Sequence, residues 1–216
     1  MLALTAPAAA QARRAAAPPR FEAGGGGGAI GAISLGERDA NLLTNDAAGS
    51  PYRLYATETR LQPAAAVEAR LGYRVTPRLI AEARLTVARP SLRVSISADA
   101  ENASPVDATS QLTEYVVEGG ALWRLSTDAR RRWIPFVSGG AGLARHVHEA
   151  RALVENGVEG YAGGGALYAL GSRQAASPAR TGLRFDVRLH MLHGGIAEGA
   201  GLSPRVVATT SAFIAF

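Results

Sequence analysis

Lysine and cysteine are both missing from this 216-residue chain, and so are long apolar runs. Without cysteine there is no disulfide framework, no thiolate chemistry and no cysteine-based zinc site. No stretch approaches the roughly 20 continuous apolar residues that a membrane-spanning helix needs, so any crossing of a membrane would be made by strands. All 23 basic residues are arginine, and they leave a formal net charge of +5. Arginine suits bidentate contact with phosphate. Here, however, the arginines are spread along alternating segments and are not clustered with aromatics, which argues against a nucleic-acid surface.

What the chain does have is alternation. Val206, Ala208, Thr210, Ala212, Ile214 and Phe216 form an every-second-residue apolar row that closes the sequence. A period of two means a β-strand with one apolar face. The segment Leu183 to Met191 is sharper still, with every odd position apolar and with Arg184, Asp186, Arg188 and His190 at the even ones. A strand buried evenly on both faces could not hold these charges without partners, so its two faces meet different surroundings.

Eight strand-like segments separated by turn chemistry fit between Phe21 and Phe216, with no sustained helical period. They run at about 21–35, 58–74, 78–98, 112–125, 133–147, 158–170, 183–191 and 206–216. In the second, Leu61, Ala65, Val67, Ala69, Leu71 and Tyr73 read as one face, and Thr76-Pro77 marks the turn that follows. In the third, the apolar positions change from odd (Leu79 to Val87) to even (Leu92, Val94, Ile96), and a bulge near Arg89-Pro90 is expected to return them to one side. Connections alternate between long (36–57, 99–111, 148–157, 192–203) and short. One domain is expected over 21–216, preceded by a flexible segment at 13–20. Residues 1–12, with Ala10-Gln11-Ala12, look like the end of a secretory signal peptide. A disordered Ala/Pro-rich tail reaching Arg20 is the alternative.

The terminal Phe216 on an alternating strand, the eight segments of crossing length and the aromatics near their ends (Tyr73, Trp123, Trp133, Phe136) resemble bacterial outer-membrane β-barrels. The similarity is to the small eight-stranded OmpA-like or OmpW-like barrels and spans most of the chain. It implies an all-β, antiparallel, up-and-down transmembrane barrel, exported through the periplasm to the outer membrane. It also implies a monomer that meets outer-membrane lipid, lipopolysaccharide and the barrel-assembly machinery, for which Ile214 and Phe216 would carry the assembly signal. A structural, adhesive or envelope-integrity role follows from that resemblance. The alternatives are a soluble lipocalin-like barrel holding a small apolar ligand, with the apolar rows turned inward, and a narrow small-solute pore.

With the apolar rows facing lipid, the lumen collects Glu68, Glu82, Glu118 and Asp186 with Arg70, Arg84, Arg124, Arg184 and Arg188. An eight-stranded barrel is just filled by side chains, and unpaired buried ions cost several kcal/mol each. These residues are therefore expected to pair across strands and plug the interior.

No cofactor is called for, and catalysis is not expected. His146 and His148 share a face near Glu149, with His190 and His193 two segments later, a set that could hold zinc or nickel; solvated rim residues are the preferred reading. The lipid A deacylases, which this architecture resembles, carry a His-x-Ser pair on the outer surface, whereas this chain has His146-x-His148 and lacks the nucleophilic hydroxyl. The palmitoyl-transferring barrels are similar in size, but the long first connection offers Asp39 and Ser50 without a histidine. Gly24 to Gly28 is followed by no Lys-Ser/Thr and opens no helix, so it is not a phosphate loop. Arg130-Arg131-Arg132 falls in a short turn, with solvent as the default partner and lipid phosphate as the sharper alternative.

Overall fold

The computed structural model describes residues 19–42, 52–101, 103–128, 131–148, 153–170, 180–196 and 201–216. The signal-like segment and most of the expected flexible segment lie outside the described residues.

Eleven strands follow one another: β1 (Phe21–Ile30), β2 (Ile33–Leu42), β3 (Tyr52–Leu61), β4 (Ala64–Arg74), β5 (Leu79–Ala88), β6 (Ser91–Ser97), β7 (Val106–Arg124), β8 (Trp133–His148), β9 (Val154–Leu170), β10 (Arg180–Gly194) and β11 (Ser203–Ala215). Strands β1, β4, β5, β7, β8, β9, β10 and β11 pair antiparallel in a closed ring, with β7–β8 and β1–β11 as the contacts that complete it. Closure leaves these eight strands without free edges, and this is what holds an all-β chain together without disulfides. The seam is made by the chain end: Phe216 donates its N–H to the Phe21 carbonyl at 2.9 Å, and the Phe21 N–H returns to the Phe216 carbonyl at 3.0 Å.

The barrel has a turn end, holding Phe216 and the Thr76-Pro77 turn, and a loop end. At the turn, the Thr76 Oγ1 accepts the Leu79 N–H at 3.0 Å. At the loop end, β2, β3, β6 and the first residues of β7 continue the staves of β1, β4, β5 and β7 as a projecting sheet. About 9–11 residues suffice for a strand to cross a membrane, and β7 has 19. The described residues of the span expected as a long connection at 36–57 are thus strand, and the one expected at 99–111 is strand from Val106 onward.

The interruption expected at Arg89-Pro90 is there, but it is not a bulge against β7. Ala88 lies opposite Glu114, and beyond Pro90 Ser91 lies opposite Gln111, one unbroken register. The slip lies between the second and third staves. Ala66 faces Ala88, yet Leu61 faces Leu92 where a continuous register would bring Arg93. Pro63 sits at that slip, because proline cannot donate to the ladder. Two sequence expectations are corrected by this. Leu61 does not share the outer face with Val67 and Leu71 but is fully buried, and Leu92 packs inward against it. The physical reason is the change of solvent: above an apolar layer the outer face meets water, so the apolar residues turn inside.

Candidate functional site: the barrel interior and its apolar wall

Along β4, β5, β7, β10 and β11 the exposed and buried positions alternate in step with the sequence period. Val67 and Leu71 on β4, Val117 on β7, Val187 on β10 and Val206 on β11 are about half exposed or more, all on the outer wall. The charged residues between them point inward. A soluble barrel would gain the opposite arrangement, since each exposed apolar side chain costs about 1.5–3 kcal/mol of burial forgone in water. This wall therefore excludes the lipocalin-like alternative.

Aromatic side chains band the wall at the turn end. Phe21 packs on Tyr73 and on Phe216 with ring centroids 5.3 and 6.2 Å apart, and Trp133 packs on Tyr168 and Phe185 at 4.8 and 5.8 Å. Trp123 is also exposed on this wall. Phe136, expected in the same band, is a correction: it is 2% exposed and lies inside, with the Arg184 guanidinium 4.5 Å from its ring centroid. Trp133 faces outward and the chain alternates, so three residues later Phe136 must face inward.

All nine side chains assigned to the lumen from the sequence sit on the inner face. Arg184 reaches Glu82 at 2.6 Å and Asp186 at 2.7 Å. Arg84 touches Glu68, Glu118 and Asp186 at 3.3–3.6 Å. Arg188 joins Glu68 at 2.6 Å to Glu118 at 3.1 Å. Arg70 contacts Glu82 at 3.4 Å, and Arg124 is drawn to Glu22 at 3.5 Å. Because β1 and β11 stand between β4 and β10 in the ring, the Arg188–Glu68 pair crosses the lumen.

The column is longer than the sequence reading supplied. Glu22 pairs with Arg70 at 3.1 Å at the turn end. Toward the loop end His190 Nδ1 lies 3.1 Å from Glu159, Arg205 bridges Glu159 at 3.1 Å and Glu114 at 2.5 Å, and His146 stands 3.7 Å from Glu114. Glu114 and His190 share parity with residues already assigned inward, so alternation could have found them. Glu159 lies in a glycine-rich strand whose faces are unreadable from the sequence, and Arg205 comes just before the clear alternation of β11.

Inner-face glycines make room for these long side chains. A Cβ at Gly163 would meet the Arg188 Cγ at 2.7 Å, and one at Gly142 would meet the Glu118 Cγ at 2.9 Å. Apolar layers close the column above and below. Ile80, Leu122, Phe136 and Leu167 pack at the turn end. At the loop end Ile33, Leu61, Leu112, Val116, Leu192 and their neighbours form a larger cluster. Between column and upper cluster is a cavity of about 10 Å³ lined by Ile30, Thr86, Glu114, His190, Arg205 and Val207, room for about one water.

The histidines divide. His146 and His190 are buried, His148 faces Glu155 at 3.2 Å, His193 is exposed on the outside, and Glu149 lies outside the described residues. Glu118, Glu159 and His190 do bring ligand atoms within 4.8 Å of one another. Their carboxylates already face Arg188 and Arg205, whose positive charge opposes a cation there. His146 points into the barrel, so it cannot form a surface dyad of the deacylase kind. Asp39 pairs with Arg53 at 2.7 Å, and Ser50 lies outside the described residues.

No protein-family model matches this sequence, and no curated protein matches it significantly. Solved structures do match. Neisserial surface protein A aligns with a TM-score of 0.57 at 12% identity, covering 91% of this chain and 97% of its own. The outer-membrane protein OprG from Pseudomonas aeruginosa aligns at 0.47 and 10%, covering 92% and 96%. Ail, the attachment invasion locus protein of Yersinia pestis, aligns at 0.43 and 8%, covering 90% and 99%. At such identities the likeness carries the fold, and the first of these carries it by itself: the chain has the fold of the small eight-stranded outer-membrane β-barrels.

Proposed function

We propose that this protein is an integral barrel of the bacterial outer membrane with a structural or adhesive role in the envelope and a plugged interior. The observation that carries this reading is the inversion of the barrel: apolar residues on the outer wall of the ring strands and an ion-paired column within. In lipid the outer wall is solvated by acyl chains and the backbone is satisfied by ring closure. Apolar layers at both ends of the column leave little space for a solute path. Contacts with other cells or matrix then fall to the projecting sheet, whose surface is free of the packing demands of the barrel.

Electrophoretic mobility of the membrane-extracted protein, boiled and unboiled, tests the reading after cell fractionation. A heat-dependent shift in the outer-membrane fraction is expected. A soluble protein without a shift would overturn it. Planar bilayers holding the inserted protein are expected to show no conductance steps, and steady steps would reject the plug while leaving the membrane assignment intact. For the role itself, cells lacking the gene are expected to lose detergent resistance or surface attachment. Wild-type behaviour in both assays would count against a structural or adhesive role.

A further inference from the structure

Six arginines ring the turn-end mouth of the barrel on its inner side. Arg74 and Arg124 are the last inward residues of β4 and β7, and Arg20, Arg78, Arg132 and Arg180 fall at the inward parity of β1, β5, β8 and β10. The ladder sets four of them against one another in pairs. The Arg74 N–H reaches the Arg20 carbonyl at 2.7 Å and the Arg124 N–H reaches that of Arg78 at 2.8 Å. Arg20 thus opposes Arg74, and Arg78 opposes Arg124, each one rung beyond the last paired residues of its two strands. Like charges directly opposite on a sheet destabilise it. From β10, Arg180 adds its repulsion to both Arg74 and Arg124.

Few acids answer these charges. Among the described residues Glu22 is the one carboxylate at ion-pair distance from any of the six, 3.5 Å from Arg124, and Arg70 already holds it at 3.1 Å from deeper in the lumen. The Phe216 carboxylate lies at the same mouth and receives the backbone N–H groups of Arg20 and Phe21. Asp128 is engaged by Arg131 at 3.8 Å. The stretches 1–18, 129–130 and 171–179 contain four further arginines and no acid. The Nε–H groups of Arg74 and Arg124 are shut off from solvent without a hydrogen bond, although buried donors are as a rule paired. Just inside the ring, Ile80, Leu122, Phe136 and Leu167 form an apolar floor. The mouth is therefore a blind cup lined by one sign of charge over a low-dielectric base, an arrangement that concentrates counter-ions.

From this ring we infer that the turn-end mouth binds a soluble anion carrying several phosphate groups. Guanidinium suits such a ligand, because its planar fork takes two phosphate oxygens at once and stays charged at every physiological pH. Arginines of separate staves converge on one space, so a single multivalent anion relieves the repulsion among them together. Lipid headgroups are the poorer match: Arg20 and Arg132 alternate with the outward Phe21 and Trp133 and so turn away from the surrounding leaflet. The floor beneath the ring makes this a binding site and not a passage. Barrels of this kind present their short turns to the periplasm, which is where the anion would be met. The site needs only the closed ring, and it stands apart from the envelope role proposed above.

The test is calorimetric titration of the full-length folded protein, in uncharged detergent micelles, with tripolyphosphate. Saturable binding of one tripolyphosphate per barrel is expected, weakened about tenfold in R180Q and further in R78Q/R132Q/R180Q. The variant R89Q/R93Q/R145Q, which removes the same charge toward the loop end, is expected to bind as the wild type does. Absence of saturable binding would overturn the inference. Equal weakening in the two triple variants would do so too, since net charge alone would then be acting. A tricarboxylate that binds as tightly would reject phosphate as the recognised group, and inorganic phosphate that binds as tightly would reject the need for several phosphates. Loss of the signal when phosphatidylglycerol is added to the micelles would hand the arginines to lipid headgroups and reject the soluble ligand. The heat-dependent mobility shift is read for every variant, and R180Q alone decides the matter if the triple variant fails to fold.

Discussion

Arg188 and Glu68, 120 residues apart in the chain, meet at 2.6 Å across the lumen. Their side chains are almost wholly shielded from solvent. The same guanidinium holds Glu118 at 3.1 Å and stacks 5.9 Å from the Tyr161 ring centroid. It is a strut between walls that share no backbone hydrogen bond.

Removal of that strut is expected to be costly. Arg188→Ala leaves Glu68 and Glu118 to a single arginine, Arg84, at 3.3–3.4 Å. Stranding a buried ion costs about 3–5 kcal/mol. A loss of that size is expected in urea unfolding of the inserted barrel, and an unchanged midpoint would show that the column contributes nothing to stability.

Val187→Arg probes the opposite face of the same strand. Val187 is 56% exposed on the outer wall and lies opposite Ala208 and Gly164. Arginine facing lipid at mid-bilayer costs about 2–4 kcal/mol. Insertion into vesicles is expected to fall accordingly, while Arg188→Val acts through its lost ion pairs and not through lipid. Efficient insertion of Val187→Arg would mean that this wall does not face acyl chains.

Adjacent glycines on β7 separate inside from outside without any charge. A Cβ at Gly119 meets nothing within 4 Å, whereas one at Gly120 would lie 2.5 Å from the Gly139 carbonyl and against the Tyr161 hydroxyl. Gly119→Leu is expected to give a normal yield of heat-shifted barrel and Gly120→Leu little or none. Equal yields would contradict the assigned faces.

On the projecting sheet, Asp107 is held below its ordinary value of 3.8 by the hydrogen bond from Arg93, with a smaller contribution from Ser95. A depressed carboxyl stabilises the fold above its unfolded pKa, and the contribution is lost as pH falls through the lowered folded value. The local structure is therefore expected to persist down to acid pH below about 4. Site-resolved NMR titration should place Asp107 below a model carboxylate and return it upward in Arg93→Gln. No change in that variant would remove the pair as the cause.

Much of the barrel is legible in the sequence wherever large residues alternate with charges. Leu183 to Met191 and Val206 to Phe216 declare both strand and faces, because side-chain direction alternates with a period of two and the two solvents differ. The nine lumenal charges named from that period all point inward. Legibility fails where glycine dominates, since a residue without a side chain has no face to declare: Glu159 and Tyr161, flanked by glycines on β9, could not be placed.

By itself the sequence determined the all-β class, the approximate strands and the sorting of charges from apolar rows, since all of these are local periodicities. Tertiary structure decided the rest. The one-residue slip at Pro63 turned Leu61 inward, ring closure brought Arg188 to Glu68, and the pairing of chain ends set Phe216 against Phe21. Each is a relation between strands, and register is a property of two strands together that neither carries alone.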